Sequence, residues 1–296
     1  MSRSSPTRAK ATAAPSAPLA GFTLREAAGL VGITEPRLRS WVRSGVLTPG
    51  AGTTAEPRFQ FQDLVLLRAA RELGDARVPA RRIRQALERL REQLPKGRSL
   101  SAVRILAEGG EVVARDERST WIPASGQALF DFAVADLARE AAPFARRSAA
   151  RLEEERDLDA EDWYRLGCEF EETDLAEAER AYARALALAP DHADAHLNLG
   201  RLRHEAGAPQ EAERHYRAAL AVSPDNATAA FDLGVALEDL GRLEEAAASY
   251  YAALDADPGY ADAHWNLAGV AEKMGATAEA IRHLSAYKSW LDGRRS

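Results

Sequence analysis

The residues best equipped for chemistry in this chain are arginines at helical spacing. Arg37, Arg39, Ser40 and Arg43 fall on the outer side of a short amphipathic stretch, while Leu38, Trp41 and Val42 turn inward. A guanidinium offers a planar fork of donors that fits phosphate oxygens or the acceptor edge of guanine two bonds at a time. Several on one exposed face form a nucleic-acid contact pattern, and Arg58, in an extended piece, is placed to grip a phosphate. The other reactive residue types lead elsewhere. All 6 histidines lie beyond position 190. His192 and His196, near Asp191 and Asp194, have metal-ligand chemistry. However, His196 and His264 recur at one place in a repeating pattern, and His215 and His283 at another, so the repetition accounts for them. Cys168 has no base near it in sequence and reads as an inert small residue. No nucleophile elbow, phosphate loop or dinucleotide glycine pattern occurs. The expectation is a chain that is not an enzyme and holds no metal or cofactor.

The arginines need elements to position them. Thr23 and Glu26 form a capping box for a helix from Leu24, whose Ala27, Ala28 and Val31 line one apolar face. Gly32 suits a left-handed corner. Thr34 caps a second helix, Pro36 fits its first turn, and Gly45 stands where it should end. Two helices about a glycine turn, the second basic, make a helix-turn-helix, whose second helix enters the major groove. Val46–Leu47 and Arg58–Phe61 flank a Gly/Thr/Pro stretch and read as the strands of a wing. Asp63 is expected to cap a helix through about Leu73, and Pro79 to open another running to Leu94.

GFTLREAAGLVGI, RLRSWVRSGVLTP and PRFQFQDLVLLRAARELG together resemble the winged helix-turn-helix domain of the MerR family of bacterial regulators, over about residues 21–94. The resemblance implies a four-helix winged fold, a helix around Arg39–Trp41 in the major groove, a phosphate contact by Arg58, and a homodimer. Ser40 and Trp41 stand where the family favours paired tyrosines, and the 75–79 connection DARVP lacks the family's usual run. Pro95 follows the fourth helix where a long dimerisation helix would begin. The family's metal-sensing cysteines are absent, so the resemblance carries over DNA binding without metal sensing.

At 296 residues the chain has room for two domains. Its net charge of −6 conceals a split. Residues 1–98 carry 18 Lys+Arg against 8 Asp+Glu, whereas residues 151–296 carry 15 against 30. The front of the chain is drawn to phosphate and the rear is repelled by it. No apolar run is long enough to span a membrane, the N-terminus lacks a secretory pattern, and a single cysteine fits a reducing compartment. A cytoplasmic location without membrane contact is expected. Residues 1–20, rich in Ser, Ala and Pro, read as a disordered tail.

Residues 99–129 change to a period of two. Val103, Ile105 and Ala107 alternate, Gly109–Gly110 turns, and Val112–Arg115 returns, which gives a β-hairpin with a further short strand near Trp121–Ile122. A hairpin alone is marginal in water, so this one packs on its own chain or completes a dimer interface. Residues 130–159 read as a helical connector broken or kinked near Pro143.

From Ala160 the sequence repeats in units 160–192, 193–226, 227–260 and 261–294. Leu166/Leu199/Leu233/Leu267 precede Gly167/Gly200/Gly234/Ala268, followed by Ala178/Ala212/Ala246/Ala280 and Tyr182/Tyr216/Tyr250/Leu284. Pro190, Pro224 and Pro258 end the first three units. Small residues let paired helices approach, the aromatic fills the gap beside them, and proline ends the second helix. This pattern resembles the tetratricopeptide repeat (TPR), and such units bury their apolar faces only by stacking into a solenoid. In that family the first helix of each unit lines a concave surface that holds peptides or proteins. The matching positions are Tyr164, Arg165, Leu197, Asn198, Arg201, Phe231, Asp232, Trp265 and Asn266. Tyr287 and the absent final proline make the last unit atypical, as expected of a cap.

The sequence therefore describes a mainly α chain: a winged helix-turn-helix domain over 21–98, a β-hairpin segment, a helical connector, and a four-unit TPR solenoid over 160–294. Its expected partners are double-stranded DNA and a protein or peptide, and its expected role is transcription regulation. The alternative is a TPR adaptor whose helix-turn-helix module contacts DNA non-specifically or contacts protein.

Overall fold

In the computed structural model the described residues are 21–52, 56–76, 78–94, 103–108, 111–116, 128–155 and 157–293. The expected tail, the Gly109–Gly110 turn and the Trp121–Ile122 strand lie outside them. The chain divides into two compact units, one up to Glu154 and the other from Glu155.

The first unit opens with α1 (Leu24–Val31) and α2 (Glu35–Arg43). The capping box is present: Glu26 N–H donates to Thr23 Oγ1 at 3.3 Å and Thr23 N–H to the Glu26 carboxylate at 2.9 Å. Gly32 ends α1 at φ +72°, a left-handed conformation that glycine takes without steric cost. Thr34 Oγ1 caps α2. The wing follows as β1 (Ala51–Gly52) paired antiparallel with β2 (Pro57–Arg58). Val46 and Leu47, expected as the outgoing wing strand, are instead buried in the core. Burial of that apolar pair outweighs the strand reading, and pairing begins only at Ala51.

Helices α3 (Phe61–Asp75) and α4 (Ala80–Gln93) complete the winged module. α3 starts before the expected cap. Gln60 is its N-cap, and Asp63, one turn in, reaches back to the Gln60 N–H at 3.0 Å. The same Asp63 oxygen accepts the Gly50 N–H at 2.9 Å, so one carboxylate fixes both the root of the wing and the start of α3.

A sheet of strand order β4-β3-β5 comes next: β3 (Val103–Glu108), β4 (Glu111–Asp116) and β5 (Ala128–Ala133). Its third strand occupies residues that the sequence reading assigned to a helix. Phe130 and Phe132 alternate with Asp131 and Ala133 at the strand period, and that alternation overrides the helical reading. β5 pairs with β3 in the register Ile105↔Phe132. The helix begins only at α5 (Val134–Glu155) and continues through Pro143, where a break or kink was expected. Ile105, Val134, Leu137 and Ala141 share one core with Phe22, Leu38, Phe59 and Leu90. The sheet thus packs within its own chain, against α4 through β4 and against α3 through β5. Each fully buried leucine there contributes about 1.5–3 kcal/mol.

The second unit is four helix pairs: α6 (Ala160–Phe170) with α7 (Leu175–Leu188), α8 (Ala193–Glu205) with α9 (Pro209–Val222), α10 (Ala227–Asp239) with α11 (Leu243–Ala256), and α12 (Ala261–Lys273) with α13 (Thr277–Gly293). Each first helix after α6 packs on the second helix of the pair before it. Inside a pair the tyrosine lies flat on the glycine. A Cβ built on Gly167, Gly200 or Gly234 would sit 2.4, 2.8 or 2.5 Å from the facing ring carbon of Tyr182, Tyr216 or Tyr250. In the fourth pair Ala268 and Leu284 stand at these two places.

Candidate nucleic-acid interface and repeat groove

The α2 arginines divide into two kinds. Arg39, Ser40 and Arg43 are exposed and make no ionic or hydrogen-bonded contact within the described chain. Arg37 is held: its guanidinium lies 4.9 Å from the Trp41 ring centroid and 3.4 Å from Asp75 at the end of α3. Arg58 is exposed on the wing, with its Nη1 donating to the Gly21 carbonyl at 3.3 Å.

Three further arginines, Arg71, Arg84 and Arg91, tie the elements around this surface together. Arg71 of α3 donates to the Val31 carbonyl at the end of α1 at 3.0 Å. Arg84 of α4 donates to the Ser44 carbonyl at the end of α2. Arg91 donates to the Thr48 carbonyl at 3.2 Å and to Asp63 at 3.4 Å. Arg71 and Arg84 each meet a carbonyl at the negative end of a helix, whereas Arg91 bridges a loop carbonyl and the buried Asp63 carboxylate. Asp63 is only 4% exposed, and burial pushes its carboxyl above the usual range despite the Gly50 and Gln60 N–H groups and Arg91. A sequence signal existed for these clasps only in the position of the arginines after each apolar stripe.

In the repeats, the groove positions do two jobs. Asn198 Nδ2 donates to Tyr182 OH at 3.0 Å, and that hydroxyl donates to Glu171 at 2.5 Å. Asn266 Nδ2 donates to Tyr250 OH at 3.1 Å, which donates to Glu238 at 2.9 Å. The amide nitrogens thus bind the second repeat to the first and the fourth to the third, and the Asn carbonyl oxygens remain as acceptors. Asp232 holds the corresponding place beside Tyr216, where its charge and, above all, burial push the phenol up. Arg201 pairs with Glu171 and, at 3.1 Å, with Glu205. Arg165 lies 3.9 Å from Asp162. Tyr164 stacks 4.7 Å from His192, and Phe231 packs between Tyr250 and Tyr260 at 5.5 and 5.0 Å. Leu197 is half-buried, whereas Trp265 is 56% exposed and leans on Tyr287.

The histidines pair. His196 Nε2 is 3.0 Å from the Pro190 carbonyl, which only accepts, so Nε2 carries the proton. Its Nδ1 therefore accepts from His215 Nδ1–H at 3.0 Å. At the fourth repeat, Tyr251 of the third gives its proton to Glu279 and accepts from His283 Nε2 at 3.0 Å, so His264 Nδ1–H donates to His283 Nδ1 at 2.9 Å. Burial first, then the partner ring, lowers the basicity of His215 and His283; burial lowers that of His264. A base that is less basic when folded stabilises the fold above its unfolded pKa of about 6.5 and loses that contribution as pH falls. The thermal midpoint of the repeat unit, followed by circular dichroism, is expected to drop between pH 7 and 5.5. Replacing His215 and His283 together by glutamine should flatten that profile.

With this geometry in place, residues 22–90 match the family model for the MerR HTH family regulatory protein. Residues 205–261, and with them 169–213 and 237–294, match tetratricopeptide repeat models. The chain joins a MerR-type helix-turn-helix module to a tetratricopeptide array. No curated protein matches it in sequence. Similar solved structures include a crystal structure of MamA, at 19% identity over 50% of this chain and 88% of that chain with a TM-score of 0.48. Another is MamA 41-end from Desulfovibrio magneticus RS-1, at 23% identity over 54% of this chain and 89% of that chain with a TM-score of 0.47. Among the described residues no helix is long and apolar enough to cross a membrane, and no three His, Cys, Asp or Glu side chains converge as a metal site.

Proposed function

We propose that this chain is a non-catalytic, sequence-specific DNA-binding regulator of transcription, cytoplasmic, whose repeats take a protein or peptide partner. The observation that carries the reading is the bare face of α2. The Arg39, Ser40 and Arg43 side chains stand exposed without ionic or hydrogen-bonded partners among the described residues, on a helix whose end is held by Arg84 beside an α1 held by Arg71. Arg39, Ser40 and Arg43 face base edges and phosphates, Arg58 follows the backbone from the wing, and Arg37 braces α2 against α3. The acidic repeats stay clear of the duplex and present their first-helix face to the partner. Binding as a homodimer follows from the MerR-type module and would place two copies of α2 on two half-sites.

Selection of bound duplexes from a random pool by the intact chain tests this. A recovered motif, with two half-sites about one helical turn apart, is the expected result. Salt-dependent retention of an unenriched pool would leave the adaptor reading instead, and a monomeric mass on DNA by light scattering would remove the dimer.

A further inference from the structure

Among the described residues, the fourth helix pair carries an apolar face that no further helix covers. In the first three pairs the first helix of the next pair covers this face. On the fourth, Ile281 is 59% and Leu284 44% exposed beside Trp265. Between α12 and α13 they border a cavity of about 430 Å3, whose floor is Ala268, Gly269 and Ala280 and whose rim carries Glu238 and Glu272. The cavity follows from one sequence departure. Leu284 stands where Tyr182, Tyr216 and Tyr250 fill the equivalent gap, so ring and hydroxyl are both missing. Among the described residues no helix covers this face of the fourth pair, and an indole, an isoleucine and a leucine stand exposed on it, which marks a contact surface.

We propose that this end face is the docking site for a cationic amphipathic helix of a partner protein, which takes the place a fifth first-helix would occupy and sets an apolar side chain into the Trp265–Leu284 cavity. The proposal rests on the reading of the repeats as partner-binding and names the chemistry of that partner. Its shape argument is internal: α8, α10 and α12 each sit on the equivalent face of the preceding pair, so the surface is built to receive a helix. Local charge rests on one group: the Glu272 carboxylate has no ionic or hydrogen-bonded partner among the described residues, whereas Glu238 is already met by Lys273 at 2.7 Å and by Tyr250 OH at 2.9 Å. The surrounding 151–296 segment carries 30 Asp+Glu against 15 Lys+Arg, so an acidic helix would be repelled.

A second copy of this chain does not supply such a helix from the head of its own array. The covering helices bury small or apolar residues at two fixed places, Ala195 and Leu202 in α8 and Ala263 and Val270 in α12. α6 has Asp162 and Glu169 at those places. Docking α6 of another copy would bury two carboxylates beside Glu272, at a cost no apolar contact there offsets.

The test is a display library of helical 16-residue segments panned on the full chain, followed by fluorescence anisotropy of the selected peptides. Expected are segments with Leu, Ile, Met or Phe at i and i+4 flanked by Lys or Arg, whose binding weakens with salt. Leu284→Glu should weaken it roughly tenfold or more, and Glu272→Lys should weaken it by a smaller factor. Because Leu284→Glu could perturb α13, a second variant rebuilds the regular pair. Ala268→Gly with Leu284→Tyr restores the glycine–tyrosine contact of the first three repeats, closes the cavity, and should abolish binding while the circular-dichroism melt keeps its midpoint. Enrichment of acidic segments, binding that survives the rebuilt pair, or a dimer by light scattering that Leu284→Glu dissolves would each overturn the proposal. Peptides that bind but ignore Leu284 and Trp265 leave the repeats as a partner surface and remove only this site. If no segment binds anywhere on the array, both readings fall.

Discussion

Replacing Arg39 and Arg43 together by alanine is expected to lower affinity for the selected duplex by at least about 2 kcal/mol, roughly thirtyfold. A base-reading guanidinium contributes about 1–3 kcal/mol, and a phosphate contact adds about one unit to the salt slope. Both side chains are exposed and make no ionic or hydrogen-bonded contact among the described residues, so their removal should leave the fold intact. Arg37→Ala makes the informative contrast. That guanidinium is committed to Asp75 and Trp41, so its loss should move the melting midpoint of the first unit more than the relative affinities for different sequences. Anisotropy titrations at several salt concentrations, with melts alongside, separate the two. Unchanged affinity in the Arg39/Arg43 double variant would remove α2 from the DNA contact.

The second large effect concerns the repeats. Gly234→Ala is expected to destabilise the repeat unit by about 1–3 kcal/mol, although alanine favours a helix by about 1 kcal/mol over glycine. The added Cβ would lie 2.5 Å from Tyr250 Cε1. The ring cannot step aside, since it is fully buried and its hydroxyl is bonded to Glu238 and Asn266. The chain itself supplies the rescue. Gly234→Ala with Tyr250→Leu reproduces the Ala268–Leu284 pair, and the two changes together should cost less than the sum of each alone. A denaturant melt of all four corners of that cycle reads the coupling directly. Additive costs would show that the glycine–tyrosine contact is not what sets the spacing of the pair.

Much of this architecture was legible because it rests on short-range rules. The Thr23–Glu26 box, the Gly32 corner and the repeat of Gly before Tyr are local signals, and the structure carries each of them. The misses occurred where tertiary packing outvoted a local pattern. Val46 and Leu47 look like strand residues but are drawn into the core. Phe130 and Phe132 sit before a strongly helical run, and only pairing with β3 makes them a strand. Asp63 has the residue type of a cap, yet its place one turn into α3 depends on the distant Gly50 N–H. For the site, sequence shows which side of α2 is polar, but not that Arg37 is occupied while Arg39 and Arg43 are free. Asn198 and Asn266 likewise look like groove lining, and their bonds to the preceding tyrosines exist only once the repeats stack. The open cavity at Leu284 was written in the sequence as a single broken column of the repeat.

The clasps made by Arg71, Arg84 and Arg91 change what the basic charge of the first unit means. A guanidinium that spends donors on its own backbone carbonyls has already surrendered part of its hydration and has fewer N–H groups free for a phosphate. The excess of 18 Lys+Arg over 8 Asp+Glu in residues 1–98 therefore overstates the number of counterions a duplex would shed on this surface. Those cations instead hold α1 and α2 at a fixed pitch before any DNA arrives, so less ordering has to be done at the moment of contact.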